Sequence, residues 1–316
     1  MTTPPTLLAS AARRERLGLL AGATMAVGAA VSFASARAGL LEGLQVWDLI
    51  FARYVVAALL MLPLLLRFGL SDLAGIGWGR GIVLTLLGGA PFALLQTGGY
   101  AFAPLAHGAI IAPATVTILS TLGAALFLGE RLSRRHLVGG AVVLVGVALV
   151  SWDGLVRPAT AGAWRGDLLF FLSSVLWAGF TLLIRHWRLS ALRATAVVAV
   201  LSGLLTAPTY LAFAGVDHLL HLPLAAIALQ GLIQGGVQGA LTMAAYGQAV
   251  LLLGVSRAVL FPATVPALSV LIGIPVVGEM PTGLQVAGLM LATSGLLVAI
   301  GVLRRRQRSS QPISSC

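Results

Sequence analysis

Gln230, Gln234, Gln238, Thr242 and Tyr246 stand four residues apart in an otherwise apolar stretch. On a helix that spacing puts them along one slowly drifting face. Amides and hydroxyls donate and accept hydrogen bonds without carrying charge, so the stripe suits either recognition of a small polar solute or contact with neighbouring helices. Beside it, Gly231, Gly235 and Gly239 form a double GxxxG that lets another backbone approach. One face is therefore expected to bind and the other to pack, with Gln234 and Gln238 lining a path near the middle of the helix. A thinner version occurs earlier, where Gln96 and Tyr100 follow Gly88 and Gly89. Inside a helix, Pro113, Pro262 and Pro266 each lack the N–H owed to the residue four before, which frees the carbonyls of Ala109, Ala258 and Pro262. Such carbonyls can meet a solute, or be satisfied by Thr115, Thr264 or water around a hinge. Ser32, Ser173, Ser174 and Trp177 are further cavity-facing candidates, although serines in such helices more often pack closely.

Charged chemistry is sparse. Glu15, Glu42, Asp48, Asp72, Glu130, Asp153, Asp167, Asp217 and Glu279 all fall at the ends of apolar runs or between them, as do His107, His136, His186, His218 and His221. A proton-driven exporter of cations generally needs a carboxylate at depth, and phosphorylated solutes want clustered arginines. Neither pattern is present: Arg53, the one arginine available to a cavity, is expected near a rim. Glu42 and Asp48, close to Arg53 in sequence, read as an exposed ion-pair cluster or, as an alternative, a rim site for a coupling proton. Cys316 is the single cysteine, so no intrachain disulfide or CxxC metal site can form. No metal or cofactor is expected. GxSxG, HExxH and paired aspartates are missing from the apolar runs, which argues against a membrane-embedded enzyme.

The chain that must position these groups has 316 residues, 59% of them hydrophobic and 9% charged, against about 25% charged in soluble domains. Cutting at charges and turn residues leaves runs at 17–36, 48–66, 81–101, 109–128, 137–152, 167–184, 194–214, 224–247, 258–277 and 284–303, each near the length a membrane helix needs. This predicts an all-α polytopic membrane protein of ten transmembrane helices. The hydrophilic break from Asp153 to Gly166 divides it into units 17–152 and 167–303, with tails 1–16 and 304–316. The first run exceeds the h-region of a signal peptide and is expected to stay as a helix. All 20 basic residues are arginine and are dispersed between the runs, unlike the basic stripe of a nucleic-acid binder.

The second unit repeats the first at an offset of 149. Pro113-Ala114-Thr115-Val116 recurs as Pro262-Ala263-Thr264-Val265, Ser120 as Ser269, Gly129-Glu130 as Gly278-Glu279, Gly139 as Gly288 and Gly146 as Gly295. From 109 to 146, 12 of 38 positions are identical without a gap, about three times what composition alone supplies. At an offset of 146, Gly89 pairs with Gly235 and Tyr100 with Tyr246. Five helices per unit is odd, so the second unit must enter the membrane from the opposite side. Two inverted five-helix repeats can rock around a shared midplane site, a recurring transporter design. A lipid scaffold has no need of such an inversion.

The P-A-T-V segment, Gly-Glu-Arg-Leu at 129–132, and the glycines at 139 and 146 resemble the EamA-type repeat of the drug/metabolite transporter superfamily. The resemblance covers both halves, roughly 17–150 and 166–302. Arg53 is similar to an arginine early in the second helix of that repeat; the second half departs from the pattern, with Gly278-Glu279-Met280-Pro281. The resemblance implies ten helices, of which the fifth and tenth are peripheral and the others surround a central cavity. It also agrees with what the residues leave: a small neutral or zwitterionic solute such as an amino acid, bound by Gln96, Tyr100, Gln234, Gln238, Thr242 and Tyr246. The expected partners are that solute and the lipid bilayer, not nucleic acid, for a monomer or homodimer.

Placing the amino terminus in the cytoplasm puts 16 of the 20 arginines on that side, a strong positive-inside bias. Both termini are then cytoplasmic, in a bacterial inner membrane. Reporter fusions at Pro158 and Ser310 should accordingly report periplasm and cytoplasm; the same compartment for both would overturn the topology.

Overall fold

The computed structural model describes residues 5–129, 132–157, 162–258 and 260–300. Glu130, Arg131, the fusion point Pro158 and the tail from 301, with Arg304, Arg305, Arg306, Arg308, Ser310 and Cys316, lie outside them. Among the described residues the chain is helical and contains ten helices long and apolar enough to cross a membrane. They are α1 Pro5–Leu41, α2 Val46–Phe68, α3 Trp78–Phe102, α4 Leu105–Leu128, α5 Arg134–Val156, α6 Ala163–His186, α7 Ala191–Phe213, α8 Leu224–Leu253, α9 Leu260–Val277 and α10 Gly283–Ile300. A short helix, Gly215–His221, follows α7. The proximal face is where α1 begins; the distal face carries the α1–α2 and α9–α10 connections.

The packing obeys a pseudo-two-fold. Helix α1 lies on α8 and α9, as α6 lies on α3 and α4; α2 meets α8, as α7 meets α3. The remaining main contacts join corresponding helices directly: α2 with α7, α4 with α9, and α5 with α10. The α5–α10 contact displays the symmetry residue by residue. A Cβ on Gly139 would lie 2.6 Å from the carbonyl oxygen of Gly295, and one on Gly146 would lie 2.7 Å from that of Gly288. Adding the repeat offset to either partner on α5 yields the partner of the other pair, so the helices are antiparallel and each contact is made twice. Elsewhere α5 and α10 are largely exposed, each burying one stripe. They are peripheral, as the resemblance implied.

Two of the helices are irregular at matching places. Helix α3 is interrupted at Gly89 (φ −100°, ψ −139°), dividing Trp78–Gly88 from Ala90–Phe102. Pro91 cannot donate a backbone hydrogen bond there, and Ala90 N–H donates instead to Ser202 Oγ at 3.2 Å. Only glycine fits, because a Cβ at 89 would fall 2.3 Å from Ser202 Oγ and 2.4 Å from the Thr85 carbonyl oxygen. At the corresponding stretch of α8, Gly231–Leu241 adopts π-helical hydrogen bonding, in which each turn takes more residues than in an α-helix.

The glycine contact sets a stability test. Gly146→Ala should destabilise the protein by about 1–3 kcal/mol, because backbone atoms of α10 must move. Gly140→Ala, where nothing lies within 4 Å, should leave thermal unfolding in detergent unchanged. Equal melting temperatures for the two variants would show that the helices are not this close.

Candidate functional site

The glutamine stripe turns towards α1. Gln230 Nε2 donates to the Ser35 carbonyl at 2.8 Å, and its Oε1 accepts from Ser35 Oγ at 3.0 Å. Gln234, 5% exposed, donates Nε2 to the Ser32 carbonyl at 2.7 Å. Thr242 packs near Gly28 of α1 and donates to the Gln238 carbonyl. The adjacent face, with Gly231 and Gly235, lies on Ala52, Arg53 and Val56 of α2. Both faces therefore pack in this conformation, and Gln234 is held by α1 rather than turned to open space. The π-helical turns are the physical reason: they change the drift of a four-residue spacing that had been laid out on α-helical geometry. Gln238 is different. Its Oε1 is buried and has no hydrogen-bond partner among the described residues. Tyr246 is half-buried.

On α3, Gln96 and Tyr100 form the matching group. Gln96 Oε1 accepts from Ser173 Oγ at 2.8 Å, while Gln96 Nε2 and the Tyr100 hydroxyl have no partner among the described residues. The Tyr100 ring lies edge-on to Phe170 at 4.9 Å and tilted to Phe33 at 6.4 Å. Ser32, Ser173 and Ser174 are fully buried and donate to backbone carbonyls of their own or neighbouring helices; they are packing serines. The Trp177 ring lies tilted against Phe92, with centroids 4.7 Å apart. Pro113 and Pro266 stand inside α4 and α9, and Pro262 is the third residue of α9 as described from Leu260. Thr117 Oγ1 donates to the Pro113 carbonyl and Thr264 Oγ1 to that of Phe261, so threonines answer some carbonyls around the prolines.

The charged residues depart from the sequence expectation. Asp48 is 1% exposed rather than part of a surface ion pair. Its Oδ1 accepts from the Tyr210 hydroxyl at 2.7 Å and faces His218 Nε2 at 3.1 Å, and its Oδ2 accepts from Gln45 N–H at 2.7 Å. Glu42 is exposed, and neither acid pairs with Arg53. The tie to Gln45 is a helix N-cap; those to Tyr210 and His218 come from more than 160 residues away, beyond the reach of local sequence patterns. Arg53 is not at a rim either: its carbonyl oxygen lies 2.6 Å from a Cβ built on Gly235, near the middle of α8. His107 is wholly buried, with Nδ1 at 2.7 Å from Asp167 Oδ1. Asp153, also buried, accepts from Gln285 Nε2 at 3.0 Å.

One acid ties the distal face together. Arg37 Nε and Nη2 both reach Glu279 Oε1 at 2.7 Å, Leu105 N–H donates to Glu279 Oε2 at 2.7 Å, and Arg37 Nη1 donates to the Tyr100 carbonyl. Glu279 thus ties the end of α1 to the α3–α4 turn and the α9–α10 connection. It belongs to the repeated Gly-Glu pair, and that repetition was the sequence signal for it. At the proximal face Arg257 pairs with Glu15, both partners being exposed. No metal-binding cluster of histidine, cysteine and acids occurs among the described residues.

The model of the EamA-like transporter family matches residues 16–152 and 164–301. The chain belongs to that family. Its ten apolar helices and the doubled family match make it a multi-pass transmembrane protein of a transporter family. A solved crystal structure resembles it over 93% of this chain and 98% of its own, at 20% identity and a TM-score of 0.60; that likeness speaks for the fold alone. No curated relative matches the sequence.

Gln230→Leu removes both bonds to Ser35 and should cost about 1 kcal/mol of stability. Gln238→Leu should leave stability unchanged and reduce transport, because its oxygen supports no contact. Asp48→Asn should be more harmful than either to folding, by about 1–3 kcal/mol, through loss of charge-assisted bonds in a buried place. Thermal unfolding of the three purified variants checks the order.

Proposed function

We propose that the protein is an alternating-access transporter of the bacterial inner membrane that moves small neutral or zwitterionic metabolites such as amino acids, as an exporter, with both termini cytoplasmic. The observation that carries this reading is unequal packing of equal sequence. In the first repeat, α4 is buried on every side from Leu105 to Ala112, and Thr115 is buried. In the second, Pro262 and Thr264, the equivalents of Pro113 and Thr115, are exposed. Two copies of one motif in different surroundings are what a carrier stopped in one of two exchangeable states requires. The distal side is the shut one, through Arg37, Glu279 and the buried start of α4. Unpartnered Gln96, Tyr100 and Gln238 supply neutral hydrogen-bonding groups for the solute.

A second reading, a proton-coupled drug or metabolite exporter with its coupling site at the rim, draws on Asp48. This buried carboxylate faces His218 at the distal end, where a proton can be exchanged. Purified protein in liposomes separates the two. Uptake of an amino-acid panel down its own gradient, indifferent to pH, supports the first reading, as a carrier without proton coupling. Concentrative uptake driven by a pH step and lost in Asp48→Asn selects the coupled exporter. No flux of any amino acid would overturn the solute assignment.

The distal latch is tested separately. With Cys316 replaced by serine and a reporter cysteine at Ala109, which is fully buried, Glu279→Gln should speed thiol labelling about tenfold or more. Two charge-assisted bonds outweigh 1.4 kcal/mol, the free energy of a tenfold population shift. An unchanged labelling rate would show that Glu279 does not hold the distal side shut.

A further inference from the structure

Arg53, Tyr54 and Ser202 meet at the interruption of α3, at the middle of the bundle. Ser202 is the central residue of α7, Gly89 is near the centre of α3, and Gly203 packs against the Tyr54 carbonyl oxygen. The Tyr54 ring packs on Ala90 and Ala93, the first turn of the half-helix Ala90–Phe102. Its hydroxyl lies beside Ser202 and Arg53. Tyr54 is 4% exposed, and that hydroxyl has no hydrogen-bond partner among the described residues. The Arg53 guanidinium stands 5.5 Å from the centre of the Tyr54 ring, half-buried, and has no carboxylate within ion-pair distance among the described residues.

A guanidinium at membrane depth is costly unless something answers its charge. Other charges buried among the described residues have an answer: Asp48 has Tyr210 and His218, Asp153 has Gln285, and Arg37 has Glu279. Arg53 has beside it the ring and the hydroxyl of Tyr54, which attract a cation but carry no charge to answer it. Around it lie a tyrosine hydroxyl able to donate and the positive end of a thirteen-residue half-helix. All three favour one partner, a planar anion with two oxygens. The second repeat lacks this group: aligning α7 with α2 on their first residues places Val198 and Ala199 opposite Arg53 and Tyr54. Duplication of the fold therefore does not explain it.

We propose that Arg53, Tyr54 and the amino-terminal end of the α3 half-helix form the subsite for the carboxylate of the transported solute. Ser202 is a positioning residue, which holds the half-helix by accepting from Ala90. This deepens the solute assignment above and rests on it, since it names which end of a zwitterion each half of the bundle receives. The carboxylate meets α2 and α3, and the rest of the solute falls to the neutral amides.

The test measures binding first. Purified protein is titrated with a series of carboxylates, acetate to 3-phenylpropanoate, and with amines of matched size, following thermal unfolding in constant chloride. Carboxylates should stabilise the wild type and the amines should not. Arg53→Gln should weaken the apparent carboxylate affinity about tenfold or more, Tyr54→Phe several-fold, and Arg53→Lys should restore part of the loss. If Arg53→Gln does not fold, Tyr54→Phe decides, and an unaltered carboxylate response in that variant overturns the subsite. So do amines, phosphate or chloride that stabilise as well as carboxylates. Transport by liposomes then separates the two claims. Carboxylate binding through Arg53 without flux of any amino acid leaves the subsite and removes the solute assignment. Amino-acid flux with an unchanged KM in Arg53→Gln does the reverse.

Discussion

A chain surrounded by hydrocarbon has nowhere outside itself to send a polar group, and most of the structure follows from that constraint. It makes the backbone helical almost throughout, and it makes each departure from the α-helix depend on a neighbour. The interruption of α3 leaves Ala90 N–H without an intrahelical acceptor, and Ser202 from α7 supplies one. The same rule governs charge. Asp48, Asp153 and His107 are buried only because Tyr210 with His218, Gln285, and Asp167 respectively meet them. Arg53 lacks a countercharge among the described residues, and polar atoms of Tyr54, Gln96, Tyr100 and Gln238 lack a hydrogen-bond partner there, which is why they direct attention to a solute.

Among the described residues those satisfied pairs are not spread evenly. Arg37–Glu279, His107–Asp167, Asp153–Gln285 and Asp48–His218 all belong to the distal end, where α4 is also buried on all sides. A two-fold repeat in sequence is thus packed without two-fold equivalence. Charge-assisted contacts on one face raise the free energy of opening that face, while the glycine contact between α5 and α10 treats the two halves alike.

Much of this was legible beforehand, and the reason is periodicity. Ten apolar runs, the offset repeat and the glycines at 139, 146, 288 and 295 are local or strictly spaced signals; most helix ends match them within a few residues, while α1 begins at Pro5 and not at 17. What was not legible depends on contacts across the bundle. Asp48 reads as a surface acid until Tyr210 and His218 arrive from the other half. Gln234 reads as a lining residue on an α-helical wheel, but the π-helical turns from Gly231 and the close approach of α1 bind its amide to Ser32. Arg53 reads as a rim residue when counted from the start of α2; helix crossing brings it level with Gly235. Glu279 shows the intermediate case, marked by repetition in the sequence but given a role only by Arg37 and Leu105.

The crossed contact between α5 and α10 has a consequence for how the halves relate. Gly139 meets Gly295 while Gly288 meets Gly146, so the residue pair and its exchange are both present. That reciprocity defines an isologous interface, the kind formed when two copies of one subunit meet about a two-fold axis. The chain therefore carries within itself the interface of a homodimer of half-length subunits inserted in opposite senses. Covalent linkage makes the stoichiometry one to one and frees each copy to lose what the other keeps. The unmatched Arg53, Tyr54 and Ser202 are the mark of that freedom: symmetry is retained where the halves touch and discarded where they face a solute.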